Sequence, residues 1–386
     1  MSQAFYQSAS TFIRDLYSGK DFIPLHEPSF SSVDKKYLSD VIDSTFVSSA
    51  GEYINEFESQ ILAYTNAKKA IAVVNGTAAL HLALIMSGVT HKDIVITQSL
   101  TFVATVNAIK YQNAKPLFID VSRERMSLCP KKLSNYLDEN AYINSSDICC
   151  LKESKQPIKA LIVMHTFGHP ADMNKIAKIC KKWNIVLIED SAESLGSFFK
   201  GKHTGTFGDF GTLSFNGNKI ITTGGGGMLL CKKTFQGDKA RHLATTAKAR
   251  DIDFYHDEIG YNYRMPNINA ALGCAQFSYI DDYLKSKRKL AQIYDQFFKD
   301  SDFFFFKEPN DSSSNYWLNT LLAPNKIEKN KFINFTNTLG IQTRPSWYLM
   351  HRLPIFKDHI SDKLENTEWL SDRIINIPSS PNTQKI

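Results

Sequence analysis

None of the six cysteines (Cys129, Cys149, Cys150, Cys180, Cys231 and Cys274) stands in a CxxC pair. Most lie inside apolar runs, a pattern that favours buried thiols in a reducing compartment over a disulfide framework or a cysteine-held metal. No run of lysine and arginine is dense enough to track a nucleic-acid backbone, and a formal charge of +6 is mild for 386 residues. Nucleic-acid binding is therefore not expected, and the surplus reflects an anionic small ligand or nothing. The apolar stretches are strand-sized, far short of a membrane span. The opening MSQAFYQSAS lacks the basic-then-apolar order of a secretory signal, so the expected location is cytoplasmic. No internal repeat, low-complexity tract or GxSxG nucleophile elbow is evident.

What is present is ordinary in bulk and specific in pattern. Hydrophobic residues make up 43% and charged residues 22% of the chain, as in soluble globular proteins, and the length suits two domains. From about residue 69, β-branched runs alternate with helical spacing: AIAVV then NGTAALHLALIMSG, DIVITQ then TFVATVNAIKY, KPLFIDV, ALIVMHTFG then MNKIAKICKKW, and IVLIED. Strand–helix alternation predicts an α/β fold with a mostly parallel sheet covered by helices on both faces. In such sheets ligands bind beyond the carboxyl ends of the strands. After about residue 250 the rhythm changes. Residues 268–298 read as one long helix, followed by an irregular NDSSSN stretch and shorter elements. The expected division is an N-terminal arm (1–21), a large α/β domain (22–254) and a smaller C-terminal domain (255–386) entered by the long helix.

Three strand ends carry chemistry-bearing residues. In VVNGTAALHLAL, Asn75, Gly76 and Thr77 sit where a strand turns into a helix, a place that suits a phosphate or is simply an N-cap. In IVLIEDSAESLG, Asp190 follows an apolar run and so lies at the sheet rim, able to pair with a ligand cation or to cap a loop. In GTLSFNGNKIITTGGGG, Lys219 stands between two apolar, strand-like segments. Dry surroundings drive an amine toward its neutral, nucleophilic form. The glycines Gly224 to Gly227 leave space for a flat ligand or form a flexible turn. Pyridoxal 5′-phosphate needs all three features together: a lysine for its aldehyde, a carboxylate at the ring nitrogen and a phosphate cradle. His165 and His169 in HTFGH have an i, i+4 spacing, but they straddle a strand end and Gly168, so no metal is expected there. His165 is instead a candidate for the pocket lining.

The segments NGTAALHLAL, TFVATVNAI, EDSAESLGSFFKGKHTGTFGDFGTLSFNGNK and GYNYRMPNINAALG resemble the DegT/DnrJ/EryC1/StrS family of sugar aminotransferases. The resemblance runs from about residue 22 to about 300, with a weaker echo at TRPSWYLMH. It implies a pyridoxal-phosphate enzyme of the aspartate aminotransferase fold (type I), a homodimer with a shared active site. By the same resemblance Lys219 is the Schiff-base lysine and proton shuttle, and Asp190 pairs with the ring nitrogen. Phe102 stacks on the ring, while Gly76, Thr77 and Ser214 hold the phosphate. Glu193 lies near the ring edge and the substrate, and Asn262 reaches the phosphate from the other subunit. Each has a plain alternative: Phe102 as core, Ser214 as a strand hydroxyl, Glu193 as a turn cap and Asn262 as a turn residue. Two departures stand out. Relatives often carry an acidic residue after the lysine where this chain has TTGGGG, and they continue into a final helix where this sequence closes on INIPSSPNTQKI.

FIPLHEPSF, STFVSSAGEYINEFE and SFNGNKIITT are similar to the legionaminic acid and bacillosamine branch. That likeness implies amination of C4 of a nucleotide-linked 4-keto-6-deoxy-2-acetamido hexose, with glutamate leaving as 2-oxoglutarate. UDP is the expected carrier and GDP the alternative. Arg250, Arg264 and Arg344 are candidate anion partners. A related sugar dehydratase is a rival from another class, but such relatives carry histidine at the lysine position. A non-catalytic binding protein of the same fold is a second rival, disfavoured by the intact Lys219 and Asp190.

Overall fold

In the computed structural model of the protein, residues 3–250 and 252–381 are described. The β-branched runs form the strands of one eight-stranded sheet: β1 (Lys69–Val73), β2 (Ile94–Gln98), β3 (Lys115–Ile119), β4 (Ile158–Met164), β5 (Val186–Asp190), β6 (Phe210–Ser214), β7 (Gly227–Cys231) and β8 (Ile360–Ser361). Their order is β1-β7-β6-β5-β4-β2-β3-β8. β7 runs antiparallel to both neighbours, and the other pairings are parallel. Both faces are covered, which explains the unbroken apolar runs. Successive side chains go to opposite cores: Val95 and Ile162 join Leu80, Ile109 and Leu243, whereas Ile96 and Leu161 join Leu133 and Ile176. Each large aliphatic side chain so buried contributes about 1.5–3 kcal/mol.

The long helical pattern of residues 268–298 is two helices, Asn267–Phe277 and Ile280–Phe298. The break falls at Ser278, whose hydroxyl donates to the Ala275 carbonyl at 2.6 Å and so caps the first helix. The first of the two packs on the helices Glu52–Thr65 and Ser32–Ser44 beside the large sheet. A boundary at residue 254 would cut a hairpin, because Lys248–Arg250 pairs with Tyr255–His256. The passage to the smaller layer comes instead at the break. Nor is the N-terminus an arm: the helix Gln3–Leu16 buries Tyr6, Ala9 and Ile13 in a core shared with Leu290, Tyr294, Phe298 and Phe332. That core backs a four-stranded antiparallel sheet of residues 304–305, 319–322, 374–377 and 344–345. β8 returns from this late region to the large sheet, a crossing that no local pattern announces.

The segment between β6 and β7 contains no second strand. Ile220 and Ile221 are buried, but residues 215–226 form a loop closed by side chains and turns. Phe215 N donates to Gly226 O at 2.9 Å, Thr223 N to Phe215 O at 2.9 Å, and the Asn269 amide to Thr223 O at 2.7 Å. The glycine run serves this closure. A Cβ on Gly227 would stand 2.4 Å from the carbonyl carbon of Asn75 and 2.7 Å from Gly76 N, so β7 can pass the strand–helix turn only without a side chain. Gly227→Ala is therefore expected to cost about 1–3 kcal/mol and to weaken cofactor retention by shifting that turn. Thermal melting and a pyridoxal phosphate titration would check this, and an unchanged melt with unchanged retention would contradict it.

Candidate active site

Three strand ends converge on a cavity of about 790 Å³ between the large sheet and the smaller domain. Gly76, Thr77, Phe102, Asp190, Glu193, Ser214 and Lys219 all line it. Asn262 does not: it is exposed, in a bridge with Thr245. Arg344 lies at the rim, whereas Arg250 pairs with Asp253 on the exposed hairpin and Arg264 bridges Val73 away from the cavity. His165 is not a lining residue. It is fully buried, 3.1 Å from Glu189 through Nε2, while Nδ1 accepts from Ala171 N at 3.1 Å. These bonds hold the loop below the cavity. His169 packs against the rings of Phe306 and Tyr316.

Asn75 caps the helix Gly76–Met86 by accepting from Ala78 N at 2.7 Å, which aims the first turn of the helix at the cavity. A Cβ on Gly76 would meet Ser214 Cβ at 3.0 Å, so the turn and the end of β6 close on one another as a small cradle. Phe102, the N-cap of the helix Val103–Tyr111, is 48% exposed rather than part of a core. Its ring tilts toward Trp347 at 6.3 Å, and Trp347 in turn lies 4.9 Å from Phe167.

Asp190, at the end of β5, is 2% exposed. It accepts from Thr105 Oγ1 at 2.6 Å and Ala192 N at 3.2 Å, and Thr105 is itself held by Thr101 at 2.8 Å. Burial raises its pKa, against these hydrogen bonds and the Lys219 ammonium, which lower it. A ligand cation would relieve that cost. Glu193 accepts from Phe167 N at 2.9 Å and from Lys219 Nζ at 3.4 Å. Lys219 rides over the Trp317 ring, its Nζ 3.7 Å from the centroid, and the Trp317 indole N–H donates to Asn218 O at 2.6 Å.

The group that the sequence implies fits these residues. A carboxylate penalised by burial, Asp190, lines the cavity, the Gly76 turn closes on Ser214, and the Lys219 side chain lines the same cavity. Such a site, on a mostly parallel sheet with a smaller second domain, defines a pyridoxal-phosphate-dependent aminotransferase of fold type I. The chain belongs to the DegT/DnrJ/EryC1/StrS aminotransferase family, whose sequence model matches residues 28–385. The match thus extends well past residue 300. It is 38% identical over 360 residues to GDP-perosamine synthase of Escherichia coli O157:H7, covering 93% of this chain and 94% of that one. It is 35% identical over 365 residues to GDP-perosamine synthase of Vibrio cholerae, covering 93% and 94%. The aminotransferase TlmJ from Streptoalloteichus hindustanus shares the fold with a TM-score of 0.82 at 24% identity, over 92% of this chain and 93% of that one. Pyridoxal 5′-phosphate is the cofactor.

Sequence reasoning missed Trp317, Thr105, Trp347 and His26. Thr105 lies in the quoted TFVAT and Trp347 in TRPSWYLMH, so both had a signal. Trp317 follows the irregular NDSSSN stretch and had none.

Burial pushes the Glu193 carboxyl up to about 7, with Lys219 opposing. A carboxyl that is harder to ionise in the folded chain than in the unfolded one stabilises the fold below its ordinary value of 4.5, and that contribution is lost as pH rises through about 7. Glu193→Gln should thus raise the melting temperature of the cofactor-free protein by a few degrees at pH 8 and by little at pH 5. Equal differences at the two pH values would show that Glu193 ionises in the ordinary range.

Proposed function

We propose that the protein transfers an amino group from glutamate to C4 of a GDP-linked 4-keto sugar. One observation carries the chemistry: Lys219, Glu193 and Asp190 share a single cavity. The choice of carrier is supported by the two GDP-perosamine synthases among the relatives. The UDP carrier and the legionaminic acid or bacillosamine branch expected from sequence find no such support. Lys219 disfavours the dehydratase reading.

Bound here, pyridoxal phosphate supplies an electrophilic aldehyde carbon and a ring that takes up the negative charge developing on the reacting carbon. In this reading Gly76, Thr77 and Ser214 bind the phosphate, and Phe102 orients the ring. Asp190 holds a proton at the ring nitrogen, and Thr105 holds Asp190. Lys219 would anchor the cofactor and move the proton at the amine-bearing carbon. Trp317 shields its Nζ from water, and Glu193, with a proton affinity near neutral pH, exchanges a proton with it. Arg344 at the rim is placed to take the diphosphate. Glutamate and the sugar use the pocket in turn.

The reading includes a homodimer in which Asn262 completes the phosphate site of the other subunit. Its support is the exposure of Asn262, outside its own cavity, on the same stretch as Ile252 and Ile259, which are 98% and 86% exposed. Such apolar exposure fits a covered surface. The free thiols support a cytoplasmic setting. Among the described residues no helix is long and apolar enough to cross a membrane.

With purified protein, pyridoxal phosphate and glutamate, GDP-linked 4-keto-6-deoxy sugars should give the amino sugar by mass spectrometry at rates at least about tenfold above their UDP counterparts, a discrimination within reach of a few nucleobase hydrogen bonds. Amination of the UDP sugars alone would reverse the carrier, and no amination of either would remove the substrate assignment. Asn262→Ala should weaken pyridoxal phosphate retention about tenfold while the dimer persists in sedimentation. Unchanged retention would take Asn262 out of the site.

A further inference from the structure

Part of the cavity wall is built from the smaller domain and the segment that precedes the first large-domain helix. Two of its polar side chains are unsatisfied: neither ring nitrogen of His26, nor the hydroxyl of Ser346, has a hydrogen-bond partner among the described residues, and these atoms are sealed from solvent. Buried polar groups in native proteins are nearly always paired, so an orphaned imidazole facing a ligand cavity points to a ligand group.

His26 is also held in place. Leu25 N donates to Gln342 Oε1 at 2.9 Å, Leu25 O accepts from Ser379 N at 2.7 Å, and Glu27 N donates to Ser380 Oγ at 2.9 Å. Two residues earlier Ile23 bridges Ile341. The backbone is thus laced to the smaller domain on both sides of the ring, and the ring cannot leave to find a partner elsewhere. Burial, with the Lys287 and Lys219 ammonium groups adding to it, pushes the imidazole well below its usual range. It is neutral at physiological pH, with one nitrogen donating and the other accepting.

That pair of capacities selects among ligands. One ligand oxygen reaches only one of the two ring nitrogens, and a carboxylate or a phosphate, which only accepts, can meet only the protonated one. A hydroxyl both donates and accepts. Of the two proposed substrates, glutamate carries carboxylates, whereas the amine acceptor carries ring hydroxyls. We propose that His26, with Ser346 on the same wall, binds a hydroxyl of the hexose and so selects the amine acceptor without serving the donor. The inference rests on the sugar-nucleotide reading above.

The two half-reactions of the holoenzyme separate these roles. Single-turnover absorbance would follow glutamate with the pyridoxal form, then a GDP-linked 4-keto-6-deoxyhexose with the amino form. In His26→Ala the efficiency of the sugar half-reaction should fall about thirtyfold relative to the glutamate half-reaction. His26→Gln, which restores a donor and an acceptor, should recover part of the loss. Ser346→Ala should show the same split more weakly, and it serves alone should the His26 variants not fold. Equal losses in both half-reactions would reduce His26 to a structural part, and no loss in either would mean that only a fixed water satisfies it; each overturns the proposal. If the unmodified enzyme aminates no sugar nucleotide, the reading of function fails first and this inference with it. That result is distinct, because it is seen before any variant is made.

Discussion

One ammonium group among two buried carboxylates is the constraint on which this molecule turns. Lys219 Nζ sits 3.4 Å from Glu193 and 3.7 Å from the Trp317 ring centre, with Asp190 buried in the same cavity. Isolated charges are costly in such surroundings, so one cation cannot comfortably serve two anions. Burial raises the proton affinity of both carboxyls, Glu193 to near neutrality. With both carboxyls ionised, these three groups are short of one positive charge. In the proposed function a protonated pyridine ring beside Asp190 would supply it, which would make the cofactor part of the electrostatic balance as well as the reaction.

The scaffold holds these groups at fixed distances by drawing each from a different element. The end of β5 brings Asp190, the end of β6 brings Ser214, and the loop after it brings Lys219. Trp317 comes from the smaller domain and is fixed through its indole N–H to Asn218, the neighbour of the lysine. The floor of the cavity is thus large-domain sheet and its roof is smaller-domain loop. The chain segment at Ile23 to Glu27 laces the roof at both edges.

Much of this was legible before the structure. Parallel strands buried on both faces read as continuous β-branched runs, and the rule that ligands sit beyond strand ends singled out Asp190 and the Gly76 turn. Lys219 stood out by its apolar neighbours, although those neighbours enter the core from a loop and not from a strand. Of the glycines after it, Gly224 bends the loop with a positive φ, as a turn requires, while Gly227 makes room for the backbone of Asn75 and not for a ligand. Contacts between residues distant in sequence were not legible. Lys219 and Trp317 come from different domains, β8 joins the large sheet from the far end of the chain, and the N-terminal helix belongs to the second core. Periodicity reports which face of an element is buried, and it does not report what covers that face. The nucleotide carrier was out of reach for the same reason, since pocket walls are assembled from loops whose partners no local spacing encodes.

The central claim is that the Lys219 amine is the covalent anchor of the cofactor. Treating the holoenzyme with borohydride and mapping its peptides by mass spectrometry tests it most directly. The account predicts one phosphopyridoxyl group per chain, on the peptide that contains Lys219, and its loss in Lys219→Ala. A label on another lysine, or a label that persists in Lys219→Ala, would contradict it.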